Sequence, residues 1–265
     1  RSLAKQVGNV KIKEESLLVD IARCLQEGRG ESADAETIPS LFTVVFAGEF
    51  NSGKSTLINA LCGKELLESG VLPTTDKITV LMAAEDNDGA NESSDSKAIG
   101  LDTGIVAQTE LRLLPTAKFP ILSDLCIIDT PGTNAILSLQ HTSSTLRLLH
   151  DADLIVFVTS ADRPFSESER QLLQTSIKPY RKRVVLVINK IDILERKQGD
   201  DHGQQTKQKV EEYVSEHASD LLGARPIVIP VSGRDALSWK QLGFVNSEND
   251  ANNSNLWTRS NFGTL

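Results

Sequence analysis

Between Leu41 and Cys62 an apolar run, a glycine-bounded octapeptide and a helical pattern follow one another without a gap. The octapeptide is Gly48-Glu49-Phe50-Asn51-Ser52-Gly53-Lys54-Ser55, the pattern G-x-x-x-x-G-K-S, and Thr56 follows it. Placed between a strand (Leu41 to Ala47) and a helix (Leu57 to Cys62), such a loop turns its backbone N–H groups and a helix N-terminus toward one point. That point suits a phosphate chain. Lys54 is expected to neutralise charge on the β and γ phosphates, and the Ser55 hydroxyl to bind Mg²⁺. Few chains can host this segment outside an α/β sheet whose strands end at a common rim.

Further apolar runs occur at Ile78 to Ala84, Ile105 to Leu114, Leu125 to Ile128, Leu154 to Val158, Val184 to Ile188 and Ile227 to Val231. Helical patterns lie between several of them, at Leu139 to His150, Glu167 to Ile177 and Thr206 to Leu222. The alternation predicts a doubly wound, mainly parallel α/β sheet. Ser166 with Glu169 matches a capping box at one helix start. Leu17, Leu18, Ile21 and Leu25 predict an amphipathic helix from Glu14 to Gln26, ahead of the nucleotide domain. Two polar stretches, Glu85 to Gly104 and Asn246 to Asn255, read as loops. The asparagine triplets at Asn91 and Asn252 lie in those stretches and are read as polar loop, not as glycosylation sites. The expected division is 1–37 helix and linker, 38–245 nucleotide domain, and 246–265 polar loop with a C-terminal lead.

At 265 residues, with 39% hydrophobic and 24% charged, the chain can bury one large core. A net charge of −8 argues against a surface built to neutralise nucleic acid, so no nucleic-acid partner is expected. Cys24, Cys62 and Cys126 are odd in number, widely spaced and in apolar segments, which predicts packed thiols rather than disulfides. His141, His150, His202 and His217 show no zinc-ligand spacing. No apolar run reaches the ~20 residues that cross a bilayer. The start at Arg1, without methionine or a signal pattern, is read as a mature form or excised fragment.

Two further motifs sit at predicted strand ends. Asp129-Thr130-Pro131-Gly132 places a carboxylate for the Mg²⁺ shell and a flexible glycine amide for the γ-phosphate. Asn189-Lys190-Ile191-Asp192 resembles the guanine-reading motif of the GTPase superfamily. That resemblance implies that Asp192 accepts from the guanine N1–H and exocyclic amine, Asn189 braces the site, and the Lys190 stem packs on the base. Ser232-Gly233, after the last strand, would supply the remaining base-edge contacts. Adenine offers no such donor pair, so GTP/GDP is expected over ATP. Either Thr74 or Thr75 fits the switch threonine that completes the metal shell, and Thr75 is preferred.

With Gly-Glu-Phe-Asn-Ser-Gly-Lys-Ser-Thr from Gly48, Leu-Pro-Thr-Thr-Asp-Lys-Ile-Thr from Leu72 and Asp-Thr-Pro-Gly-Thr-Asn from Asp129, the chain resembles a dynamin-related GTPase of the mitofusin and bacterial dynamin-like branch. The likeness covers roughly Leu41 to Gly233 and extends to chloroplast fuzzy-onions-like proteins of plants and algae. It implies a GTP-hydrolysing head that forms a homodimer across its nucleotide face and couples that pairing to membrane remodelling or fusion. The membrane-engaging region lies outside this chain, and chloroplast membranes are the implied location. The helix from Glu14 to Gln26 would then belong to a neck bundle, or else pack on the domain.

Thr133 stands where small regulatory GTPases carry their water-orienting glutamine, so water must be positioned otherwise. Asn51 stands where several cation-activated GTPases hold an asparagine near a monovalent cation, K⁺ or Na⁺; the alternative is a turn asparagine bonded to the loop backbone. The expected catalytic set is therefore Lys54, Thr75, Asn51 and Gly132, and the metal set Ser55, Thr75 and Asp129. Phe50 departs from dynamin and could screen the phosphates. The segment Thr133 to Thr145 could reorganise to meet a partner head. Two other functions compete: a switch GTPase of the ribosome-assembly class, opposed by the pI of ≈ 5.1, and a nucleotide-gated assembly module with little hydrolysis.

Overall fold

The structure, a computed structural model, describes residues 41–68, 78–84, 97–101, 109–132, 148–180, 182–194, 200–242 and 251–265. Eight strands form one sheet: β1 (Phe42–Gly48), β2 (Ile78–Ala84), β3 (Lys97–Leu101), β4 (Thr109–Pro115), β5 (Leu125–Asp129), β6 (Leu154–Ser160), β7 (Arg183–Asn189) and β8 (Ile227–Pro230). Their order across the sheet is β3-β4-β2-β5-β1-β6-β7-β8. Five of the seven neighbour pairings are parallel; β2 against β5 and β3 against β4 are antiparallel. The mainly parallel α/β sheet expected from the alternation is therefore present.

Among the described residues the sheet is packed by helices that include α1 (Lys54–Cys62), α2 (Glu167–Leu172), α3 (Asp200–Leu222), α4 (Gly233–Gln241) and α5 (Ala251–Ser260). Near-continuous apolar strands follow from burial on both faces. In β1, Val45 and Ala47 face a core shared with α2 and α3 through Leu172, Leu173, Val214 and Ala218. Val44 and Phe46 face the other side, against Leu57 and Ile58 of α1 and Ala236 and Leu237 of α4. The strand alternation of period two thus feeds two helical layers.

Ser166 caps α2 as expected: its hydroxyl accepts from the Glu169 N–H, and the Glu169 side chain returns to the Ser166 N–H. Helix α2 then widens through a π-helical turn at Leu173–Ile177. Cys126 is buried and Cys62 half-buried, and burial pushes their thiols up to about 12 and about 11, consistent with packing rather than reactivity.

Two expectations need correction. Glu85 to Gly104 is not loop throughout, because Lys97–Leu101 forms edge strand β3 against β4. Its backbone pairs in a register set by β4, which a polar, weakly periodic sequence does not announce. Asn246 to Asn255 is likewise not all loop, since α5 begins at Ala251. Its apolar anchor lies downstream: Trp257 stacks on Trp239 of α4, with ring centroids 4.5 Å apart, and Phe262 is buried beneath it. The Ser232 N–H also donates to the Ser260 carbonyl at 2.9 Å, and the Asn261 amide to Pro230 at 2.7 Å. The last residues are therefore packed against the strand end that precedes α4. The helix expected at Glu14 to Gln26 lies outside the described residues.

Replacing Trp257 with alanine removes the aromatic contact holding α5 on α4. It is expected to destabilise the fold by about 2 kcal/mol, the partly buried share of a typical Trp→Ala loss. A lowered urea midpoint in circular dichroism checks this; an unchanged midpoint would mean that α5 contributes nothing to stability.

Candidate nucleotide site

The strand register brings the motifs to one rim. Phe46 of β1 lies opposite Asp129 of β5, Gly48 opposite Val158 of β6, and Ser160 of β6 opposite Asn189 of β7. The loops leaving β1, β5, β7 and β8 consequently open on the same side, where open α/β sheets hold their ligands.

The loop from Gly48 to Ser55 turns through left-handed backbone at Asn51 (φ 65°) and Gly53 (φ 90°). A Cβ on Gly53 would stand 2.3 Å from the Asn189 side-chain nitrogen, so only glycine lets that amide approach. Ser55 and Thr56 lie in the first turn of α1, whose unpaired N–H groups face the loop. Asn51 is exposed, and its side chain has no hydrogen-bond partner among the described residues. Phe50 is half-buried and its backbone abuts Gly132, where a Cβ would come within 2.7 Å of the Phe50 nitrogen.

Lys54 is 7% exposed, and its ammonium donates to the carbonyls of Gly48 at 3.1 Å and Glu49 at 3.0 Å. Two of its three N–H groups are thereby used, and one is left for an anion. Burial pulls the Lys54 pKa down, opposed by the charges of Asp129, Glu169 and Glu49. The Ser55 hydroxyl donates to Asp129 Oδ2 at 2.7 Å, whereas Asp129 Oδ1 is buried without a hydrogen-bond partner. Burial pushes the Asp129 carboxyl up, and the Lys54 ammonium and then the Ser55 hydroxyl oppose the shift. An orphaned carboxylate oxygen beside a hydroxyl and an ammonium is the donor chemistry that a hard divalent cation relieves. Thr130 anchors the same turn, its hydroxyl donating to the Phe46 carbonyl at 2.7 Å.

Asn189 joins the two halves of the rim. Its amide nitrogen donates to the carbonyls of Ser52 (3.0 Å) and Gly53 (3.3 Å), while its oxygen accepts from the Lys190 (2.8 Å) and Gly233 (2.9 Å) N–H groups. Lys190 takes a left-handed φ of 65°, which carries its stem alongside Gly53. Asp192 is buried; its Oδ1 accepts from the Ser232 hydroxyl at 2.8 Å. Ser232 in turn caps α4 by accepting from the Asp235 N–H at 3.2 Å.

Thr74, Thr75 and the segment Thr133 to Thr145 lie outside the described residues. The remaining candidates, Gly48 to Thr56, Asp129, Gly132, Asn189, Lys190, Asp192, Ser232 and Gly233, line one rim. Sequence reasoning missed a second layer around them. Glu49 is held by the Ser168 hydroxyl at 3.2 Å and by Arg163 at 3.4 Å. Glu169, read only as a cap, is 1% exposed and also accepts from the Thr159 hydroxyl at 2.9 Å. Burial pushes its carboxyl up, opposed first by the Thr159 hydroxyl. Arg234 pairs with Asp192 Oδ2 at 2.7 Å. Only the capping spacing was visible in sequence; the other contacts join separate parts of the chain, Thr159 from β6, Ser168 from α2 and Arg234 from α4.

The sequence pattern of the Dynamin family matches residues 44–191. Among curated proteins, the chain is 36% identical over 237 residues to a probable transmembrane GTPase, FZO-like and chloroplastic, of Arabidopsis thaliana, covering 86% of this chain and 22% of that protein. It is 26% identical over 162 residues to dynamin-like protein 2 of Campylobacter jejuni, covering 57% of this chain and 26% of that one. This chain thus spans about a quarter or less of either relative. Among solved structures, a chain of an oligomerised bacterial dynamin pair aligns over 84% of this chain and 37% of its own, with 17% identity and a TM-score of 0.54. That structural likeness bears on the fold. Because the family match extends over more than half of the residues and takes in the loop at Gly48, the strand end at Asp129 and the Asn189 brace, this chain belongs to the dynamin family of GTPases.

Proposed function

We propose that this chain is the GTP-binding and GTP-hydrolysing head of a larger dynamin-like protein, which pairs with a second head across the nucleotide face and so drives membrane remodelling or fusion. The observation that carries the reading is the Asn189 amide, which holds the loop that would take the phosphates and the loop that would take the base at fixed separation. The family match at residues 44–191 supports this reading over a ribosome-assembly switch.

In this mechanism the backbone N–H groups from Glu49 to Ser55 and the α1 N-terminus cradle the β phosphate, and Lys54 turns its remaining N–H toward the β and γ oxygens. Ser55, Asp129 through its orphaned oxygen, and Thr75 would hold Mg²⁺. When bound, that ion supplies charge to offset what develops on the phosphoryl oxygens. Gly132 offers its backbone N–H to the γ-phosphate and, lying against Phe50, transmits the γ-phosphate state to the loop around it. Asp192 accepts from the guanine N1–H and exocyclic amine, the Lys190 stem covers the base, and the Ser232-Gly233 turn meets its edge. Asn51, exposed at the lip of the loop, would help bind K⁺ or Na⁺ in the paired state.

The flanking parts extend the proposal. The helix at Glu14 to Gln26 and a continuation beyond Leu265 would form the neck joining head to membrane-engaging region, with no nucleic-acid partner. Among the described residues no helix is long and apolar enough to cross a membrane. The chloroplast membrane is the proposed location, supported by the plant relative's chloroplastic description.

Three outcomes test this. Lys54→Ala should lower GTP affinity and turnover by about a hundredfold or more, since it deletes the cation that meets the phosphates; titration calorimetry and phosphate release measure both. Turnover per protomer should rise with protein concentration, with mass measurements showing dimers in a fluoride transition-state mimic. A flat rate from monomers would instead support a nucleotide-gated module. Turnover should be faster in potassium or sodium than in caesium, and equal rates in all three would remove the cation role of Asn51.

A further inference from the structure

On the reading just given, Asp192 must present both carboxylate oxygens to the edge of a base, and the structure shows what holds that carboxylate. Oδ1 accepts from the Ser232 hydroxyl at 2.8 Å, and Oδ2 lies 2.7 Å from Arg234 Nη2. Ser232 accepts the Asp235 N–H with its own oxygen, which commits its hydrogen to Asp192. The Asp192 side chain is 4% exposed; that of Arg234 is 47% exposed. The same Nη2 also meets Asp235 Oδ1 at 3.2 Å, and Asp235 Oδ2 lies 3.8 Å from Arg259 of α5. A buried carboxylate is thus balanced by a cation that stays at the surface and is itself aimed by a second carboxylate.

We propose that Arg234 is a specificity-determining residue that acts through Asp192, fixing the plane and charge balance of its carboxylate so that guanine is told apart from bases lacking the exocyclic amine. A buried carboxylate stripped of its cation is costly and loses its preferred orientation. Each carboxylate oxygen carries two lone pairs, so Oδ2 accepts from Arg234 and from a base without exchange of partners. The planar guanidinium defines the direction of that bond as a lysine ammonium cannot. Arg234 is therefore a positioning residue for the base reader, and its removal should leave the phosphate end of the site as it was.

The test compares GDP, IDP and ADP affinities by titration calorimetry for the whole chain, with melting temperatures recorded alongside. IDP keeps the N1–H and lacks the amine. The unaltered chain should prefer GDP to both; if it does not separate GDP from ADP, the guanine reading itself fails. Given that preference, Arg234→Ala should weaken GDP binding by about tenfold or more, the usual result of stripping a buried charge of its partner. IDP binding should fall less, so the GDP-to-IDP ratio shrinks, and Arg234→Lys should recover part of it. Added to Asp192→Asn, Arg234→Ala should change GDP affinity by less than about threefold, as expected for two residues acting as one unit. A ratio unchanged in both Arg234→Ala and Arg234→Lys, or a full additional loss in the Asp192→Asn background, would overturn the proposal.

Discussion

The Asn189 side-chain amide is the interaction on which the geometry of the rim depends. One planar group, at the end of β7, satisfies two carbonyls of the loop after β1 and two N–H groups of the turns after β7 and β8. All four partners are backbone atoms, so the amide sets where chains run rather than where side chains point. Asn189 is 1% exposed, and its bonds to the Ser52 carbonyl and from the Gly233 N–H are buried away from competing water, where an unmade bond is expensive. A carboxylate lacks the donor end and an aliphatic side chain lacks both, so neither could make these four bonds. Gly53 follows from the same constraint, because any side chain on it would occupy the space of the amide.

Around this brace the fold concentrates charge that it does not neutralise fully. Lys54 is buried in the field of Asp129 and Glu169, which are buried too, and burial drives the two carboxyls up and the ammonium down. Desolvation opposes all three charges, and a ligand that brings opposite charge to each end relieves it. The rim is in that sense prepared for a polyanion and a cation together. Glu49, Ser168 and Arg163 tie the outer lip of the loop to the start of α2, so the loop is held from both sides.

Much of this was legible in the residues. The octapeptide at Gly48 implied strand, loop and helix because its chemistry works only at such a junction. Strand positions followed from near-continuous apolar runs, and the two-faced core from their alternation. Lys97–Leu101 escaped detection since an edge strand is stabilised by its neighbour's backbone, and its own side chains need not be apolar. Ala251–Ser260 escaped for a related reason: its polar first half hid a helix anchored by Trp257 and Phe262 further on.

The sequence by itself determined the fold class, the family and the identity of the motif residues, because those depend on local periodicity and on spacing within short segments. Only the tertiary structure decided which groups hold those residues in place. Arg234 against Asp192, Thr159 against Glu169, Ser168 against Glu49 and Ser260 against Ser232 are contacts between separate elements, made by residue types common on any surface. Nothing in linear spacing marks them. They exist because parallel pairing in one register brings five strand ends to the same rim, and side chains far apart in the chain then share one buried, low-dielectric space.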